Sequence, residues 1–337
     1  KADAADFNAK LKAAGGSVND FALAAAAGAA AIGGIFAYSA KTFMDYDDAI
    51  RAVAAVTGTS GTPAFEQMNQ VAKELGATTS FTAVEVAKLM TELGRAGFDP
   101  SQITAMTDSV LNLSRATGTD AAESAGIMSA TIRQFGLEAG DAARVADVLT
   151  MTASKTFNTV GQLGEAFSYV GPVMKQLKIP LEDAAAALGI LGNVGIQGSS
   201  AGTAFKRFAL LTSAEAEKLE KIFGVSFKGA NGSIMSLTDT LATLQGSIAT
   251  MDDATAITAL NDAFGLLGIT GAASLAAAGD GVKDLRDQLL HAEGAAAKMA
   301  AEMDAGLGGA FRRMGSAAEA LRIEIGRRLS PMLEFMA

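Results

Sequence analysis

Residues that could carry chemistry are few in this chain, and their spacing is poor. One histidine, His291, stands in a polar run from Asp287 to Gly294, so a Ser-His-Asp relay would have to be built on it; an exposed helix residue is the simpler assignment. Cysteine is absent, which removes disulfides and thiolate metal sites and leaves the redox compartment unreadable. Metal ligation falls to carboxylates alone. Asp45, Asp47 and Asp48 lie close together but lack the glycine and terminal glutamate of a calcium loop, and they fit the acidic face of a solvated helix. The glycines between Gly192 and Gly202 have neither the lysine of a phosphate-binding loop nor a strand before them, so they are assigned to structural turns. Paired glutamates for cutting peptidoglycan stay open, because spacing in sequence does not give spacing in space. Arg312, Arg313, Arg322, Arg327 and Arg328 alternate with Glu319, Glu324 and Glu334, a pattern of local ion pairs on a helix rather than a lipid or DNA contact. The expectation is a chain without catalytic residues, cofactor or metal.

The elements that would position any site are helical. Hydrophobic residues make up 50% of the chain but aromatics only 6%, with no tryptophan, so the apolar content is alanine and aliphatic and favours closely packed helices over a sheet. A length of 337 residues suits about two domains at ~150 residues each. The net charge of −9 argues against tight or sequence-specific binding along a nucleic acid. The chain begins at Lys1 with neither an initiator methionine nor a signal pattern, and is read as a piece of a longer protein.

In order, Asp3 to Ala14 is expected as a short helix, and Asn19 or Asp20 caps a second. Phe21 to Ala40 carries no charge over a length of about 30 Å of helix, the thickness of a bilayer core. Half of these residues are alanine and three, Gly28, Gly33 and Gly34, are glycine, and small-xxx-small spacings such as Ala29/Gly33 and Ala30/Gly34 let helices approach closely. Two readings stand: a helix packed on a neighbour, or a membrane-inserting segment led by Phe21, Leu23, Ile32, Ile35 and Phe36. Beyond Lys41 the helix continues amphipathically to Gly58, and Thr62-Pro63 opens the next. Capping boxes are expected at Thr82/Glu85, Thr159/Gln162 and Thr212/Glu215, Asp99-Pro100 is an N-cap, and Gly76, Gly97, Gly118 and Gly136 mark stops. A helix ends at Gly171-Pro172 or continues kinked. Asn231-Gly232 between β-type residues predicts a two-stranded hairpin over 225–235. Helices resume at Ser236 and Asp252, and a long run from Asp280 to Met336 is interrupted at Gly294 and at Gly306 to Gly309. No exact repeat is found.

The densest stretch, Ser168 to Phe208, also resembles a known family. Tyr169 to Pro172 (YVGP), the proline-opened helix Leu181 to Leu191, and a loop of Gly195, Ile196, Gly198 and Ser200 to Ala204, including Gly202, follow each other as in phage tail tape-measure proteins. Ala72 to Thr79, Leu93 to Asp99 and Phe135 to Val148 keep the same order upstream, as do Phe223 to Val225, Phe264-Gly265 and Leu321 to Leu333 downstream. The resemblance covers roughly Tyr46 to Phe335. It implies a structural protein of the virion, lying inside the tail tube, helping initiate and size the tube and leaving ahead of DNA. Implied partners are tail-tube and tail-tip or baseplate proteins, other copies of the chain as a trimer or hexamer, and the host inner membrane at ejection. Implied locations are the tail, the host cytoplasm during assembly and the host envelope on infection.

The resulting expectation is all-α: a multi-helix core with one small β-hairpin, a long apolar N-terminal helix and a long C-terminal helix. It divides into N-terminal helices over 1–58, a tape-measure core over 59–212, helices with the hairpin over 213–280, and a C-terminal helical segment over 281–337. The main alternative is a membrane pore using residues 21–40; a weaker one is a cell-wall enzyme.

Overall fold

The structure is a computed structural model and describes residues 18–229 and 233–336, so the helix expected over Asp3 to Ala14 lies outside it. Among the described residues the regular elements are sixteen α-helices and one 3-10 turn, Ala139–Asp141. The first nine are α1 (Val18–Thr57), α2 (Pro63–Thr78), α3 (Ala83–Arg95), α4 (Pro100–Thr117), α5 (Ala121–Phe135), α6 (Ala142–Lys155), α7 (Val160–Leu177), α8 (Leu181–Asn193) and α9 (Gly198–Ala214). They alternate between two layers. α1, α3, α5, α7 and α9 pack side by side in that order, and α2, α4, α6 and α8 form the second row against them.

Local signals in the sequence generate this alternation. The N-caps of α3, α5, α7 and α9 are Thr82, Asp120, Thr159 and Gln197, 38 or 39 residues apart. Thr82, Asp120 and Thr159 accept hydrogen bonds from backbone N–H groups of the first helical turn, satisfying donors that have no partner within the helix. Helices α3, α5, α7 and α8 all end alike. Gly97, Gly136, Lys178 and Gly195 take left-handed φ values of 82, 70, 57 and 83°. The N–H of the next residue, Phe98, Leu137, Ile179 or Ile196, then reaches back to the carbonyl of Leu93, Ile132, Met174 or Leu191. This closure turns the chain sharply and plants an apolar residue under the turn. The repeat absent from the residue identities is therefore present in the caps, and helical hairpins stack as in α-solenoids.

α8 sits at the centre, against α6, α7 and α9 on its sides. Leu181, Ala184 to Leu188 and Leu191 are all buried, and a helix surrounded on every side needs its small residues to let neighbours in. Beyond α9, the helices α10 (Ala216–Phe223), α11 (Leu237–Ile248), α12 (Asp253–Phe264) and α13 (Ile269–Ala277) cap one end of the stack. The chain then returns. α14 (Gly279–Leu290) lies on α8 and α6, α15 (Ala295–Met303) on α6 and α4, and α16 (Leu307–Met336) on α2 and α1. The return crosses the second layer in reverse order and brings the C-terminal helix back beside the first helix.

Several expectations are corrected. No two-stranded hairpin forms: Lys228 and Ile234 make one isolated antiparallel bridge, joined by the Gly229 N–H bond to the Ser233 carbonyl. Asn231-Gly232 lies outside the described residues. Phe227 is buried but Ile234 is exposed, so the pair has no common apolar face to extend a ladder. The long apolar helix is also corrected. No helix among the described residues is long and apolar enough to cross a membrane. α1 runs on through Lys41, Asp45, Asp47, Asp48 and Arg51 while burying Tyr46, Ile50 and Val53 in the core, so from Lys41 on it is an amphipathic element of the stack. The side chains of Phe21, Leu23, Gly28, Ile32, Gly33, Gly34 and Ile35 lie outside the described residues, and Phe36 is exposed. Thr212 is not a cap; it sits inside α9 and bonds back to the Phe208 carbonyl at 2.9 Å. Gly76 lies inside α2 rather than ending it.

Candidate functional site

Pro172 lies inside α7, which continues through it to Leu177. Around it the tape-measure-like motif forms a seam between α7 and its neighbours α5 and α9. Tyr169 is half exposed on the outer face of α7, and Val170 and Gly171 are buried. A Cβ on Gly171 would collide with the Gln134 side chain of α5. A Cβ on Gly202 would lie 2.6 Å from the Ala166 carbonyl oxygen and 2.8 Å from the Tyr169 Cβ. Gly198 opens α9 at φ 54° with Glu165 of α7 against it, and Gly195 turns at φ 83° in open space. Ser200 is exposed. The structure thus brings Tyr169, Gly198 and Gly202 together at the α7–α9 contact, puts Gly171 on the α5 side, and leaves Gly195 and Ser200 apart from both. Gly171, Gly198 and Gly202 share a close approach from a neighbouring helix that leaves no room for a Cβ.

The loop before α9 is tied to the loop before α7 by amides. Phe157 N–H donates to Asn193 Oδ1 at 2.9 Å, Gln197 Nε2 to the Phe157 carbonyl at 2.5 Å, and Gln162 Nε2 to Gln197 Oε1 at 3.0 Å. Asn158 is buried, and its Nδ2 reaches the carbonyls of Leu188 and Gly189 near the end of α8, each at 3.3 Å.

Three carboxylates are buried in the stack, Asp147 in α6 and Glu182 and Asp183 in the first turn of α8. Glu182 accepts both hydrogen bonds of a two-pronged contact from Arg144, at 2.7 and 2.8 Å, and this bond holds the Arg144 guanidinium above its ordinary pKa. Asp183 faces Arg286 of α14 at 3.3 Å, and burial pushes its carboxyl above the usual aspartate range against the pull of that arginine. Asp147 of α6 accepts from the backbone N–H groups of Gly294 and Ala296, each at 2.8 Å, and so caps α15 from another element. Helix-opening positions flag Glu182 and Asp183, but nothing local marks Asp147, whose partners are about 150 residues away.

Residues assessed for chemistry are engaged structurally. His291 Nδ1 lies 2.8 Å from the Asp287 carbonyl oxygen at the end of α14. Asp45 pairs with Lys41 at 2.7 Å, and Asp47 with Arg51 at 2.5 Å. Arg327 and Arg328 share Glu324, which they hold down to a pKa of about 2, and Arg322 stacks over Tyr38 at 4.7 Å. No group of three or more potential ligands comes together among the described residues.

The model of the family described as phage-related minor tail protein matches residues 69–265, more than half of the chain, motif seam included. The chain belongs to this family. The tape measure protein of Pneumococcus phage Dp-1 is 33% identical over 305 residues, 89% of this chain and 26% of that protein. The probable tape measure protein of Escherichia phage P2 is 29% identical over 266 residues, 77% of this chain and 32% of that protein. The resemblance stated from the motifs is borne out: this is a phage tail protein of the tape-measure kind, and it spans about a quarter to a third of the length of these relatives. No solved structure matches it.

Proposed function

We propose that the chain is the folded module of a tape-measure protein, held in the lumen of the tail tube, where it helps initiate assembly against tail-tip or baseplate proteins and leaves ahead of DNA. The relationship to the Dp-1 tape measure protein across 89% of the chain carries this reading. The capped helical stack refines it. A ruler gains about 1.5 Å of tube per helical residue and needs long uninterrupted heptads. Layers of short helices with glycine stops at Gly97, Gly118 and Gly136 add little length, so this module anchors and nucleates, and measurement belongs to coiled segments outside it. Self-association as a trimer or hexamer fits a tube lumen of matching symmetry. Electron microscopy of tails from two deletions tests the proposal. Deleting residues 100–116 should abolish assembly or ejection, whereas deleting whole heptads from a coiled segment elsewhere in the protein should shorten tails in proportion. Viable tails about 25 Å shorter after the first deletion would make this region part of the ruler.

A further inference from the structure

The returning arm α15–α16 is built inside out compared with the layers it crosses. Ile323 is the one large apolar side chain described in it that reaches the buried core. Leu307, Phe311, Met314 and Leu321 face outward at 80, 64, 61 and 62% exposure. The residues turned toward the stack are small: Ala296, Ala300, Ser316 and Gly326. In α3, by contrast, Val86, Leu89, Met90 and Leu93 are all fully buried. Docking strength follows buried apolar area, so the arm is held far less by the hydrophobic effect than the stack is.

Polar pins replace that area. Asp147 caps α15 through Gly294 and Ala296, Arg115 meets Asp304 at 3.4 Å, the Ser316 hydroxyl donates to the Thr79 carbonyl at 2.6 Å, and Val84 N–H donates to Glu319 at 3.4 Å. Each is a bond that water can replace on separation, whereas the apolar contacts inside the stack have no such substitute. The arm joins the rest at Gly294, which has φ 76° and nothing within 4 Å of where a Cβ would stand.

We propose that α15 and α16 form a displaceable clasp, which leaves α1, α2, α4 and α6 as a unit by rotation at Gly294 while α3 to α8 stay folded. This does not depend on the role assigned to the module in the tail. Hydrogen exchange measured by mass spectrometry on the full chain tests it. Amides over 295–331 should exchange together and at least about 10-fold faster than those over 83–193. A smaller ratio overturns the clasp, because arm and stack then open as one. Asp147→Asn should speed exchange of the arm about 10-fold further and leave 83–193 unchanged. An equal rise in both regions, or none in the arm, overturns the proposal.

Discussion

Gly202 and Gly126 occupy equivalent places in sequence terms, single glycines inside helices, and opposite places in packing terms. At Gly202 a methyl group would press on the Ala166 carbonyl, a backbone atom that cannot turn aside. Gly202→Ala should lower the free energy of unfolding by about 2 kcal/mol, as overpacking does. Gly126 has nothing within 4 Å of the same position, so Gly126→Ala should raise it by about 0.5 to 1 kcal/mol through helix propensity alone. Denaturant titrations of the two variants check this, and a Gly202→Ala protein as stable as its parent would sink the close-approach account of the motif. Asp183 gives a pH prediction. Burial raises its pKa above 3.8 in the folded state, so the folded protein takes up the proton at higher pH than the unfolded chain does. Its contribution to stability is present below the ordinary aspartate pKa and is lost as pH rises through the raised value. Asp183→Asn should flatten that part of the stability curve; thermal melts across mildly acid pH that keep the same slope in both proteins would count against it.

At the scale of elements, caps were the legible part of the sequence because a cap is a local event. The capping boxes of α3 and α7 and the N-cap with proline of α4 stand where their residues put them. Thr212 misled because a threonine hydroxyl competes for the carbonyl four residues back, and inside α9 that bond wins. The hairpin misled for another reason: turn chemistry at Asn231-Gly232 is only half of what a hairpin needs, and the flanking residues offer no shared buried face. Lys178 shows the repeat directly. It fills the left-handed position that glycine fills at Gly97, Gly136 and Gly195, and it is the one non-glycine residue with positive φ among those described. A side chain there costs about 1 kcal/mol, so Lys178→Gly should stabilise the protein by up to that amount. A melting temperature unchanged or lowered would mean that Lys178 makes compensating contacts with its neighbours.

For the whole molecule, the all-helical class was legible in the composition, but the layering was not, because the contacts that define it join residues far apart in sequence. Asp147 and Gly294 are an instance, and α16 is another, since Ser316, Ile323 and Gly326 lie inward against helices more than 200 residues away while Leu321 points outward. Small residues mark a seam only when the partner is known. The layering has a consequence for size that separates the anchor from the ruler without a phage. A folded chain of this length should have a radius of gyration of about 20 Å, allowing some increase for the paired ends of α1 and α16. The same residues drawn out as one helix would span about 500 Å, with a radius of gyration of about 150 Å. Small-angle scattering of the isolated chain should fall near the first value. A profile with the slope of a rod would mean that the helices stack end to end rather than in layers, and the anchoring role would fall with the fold.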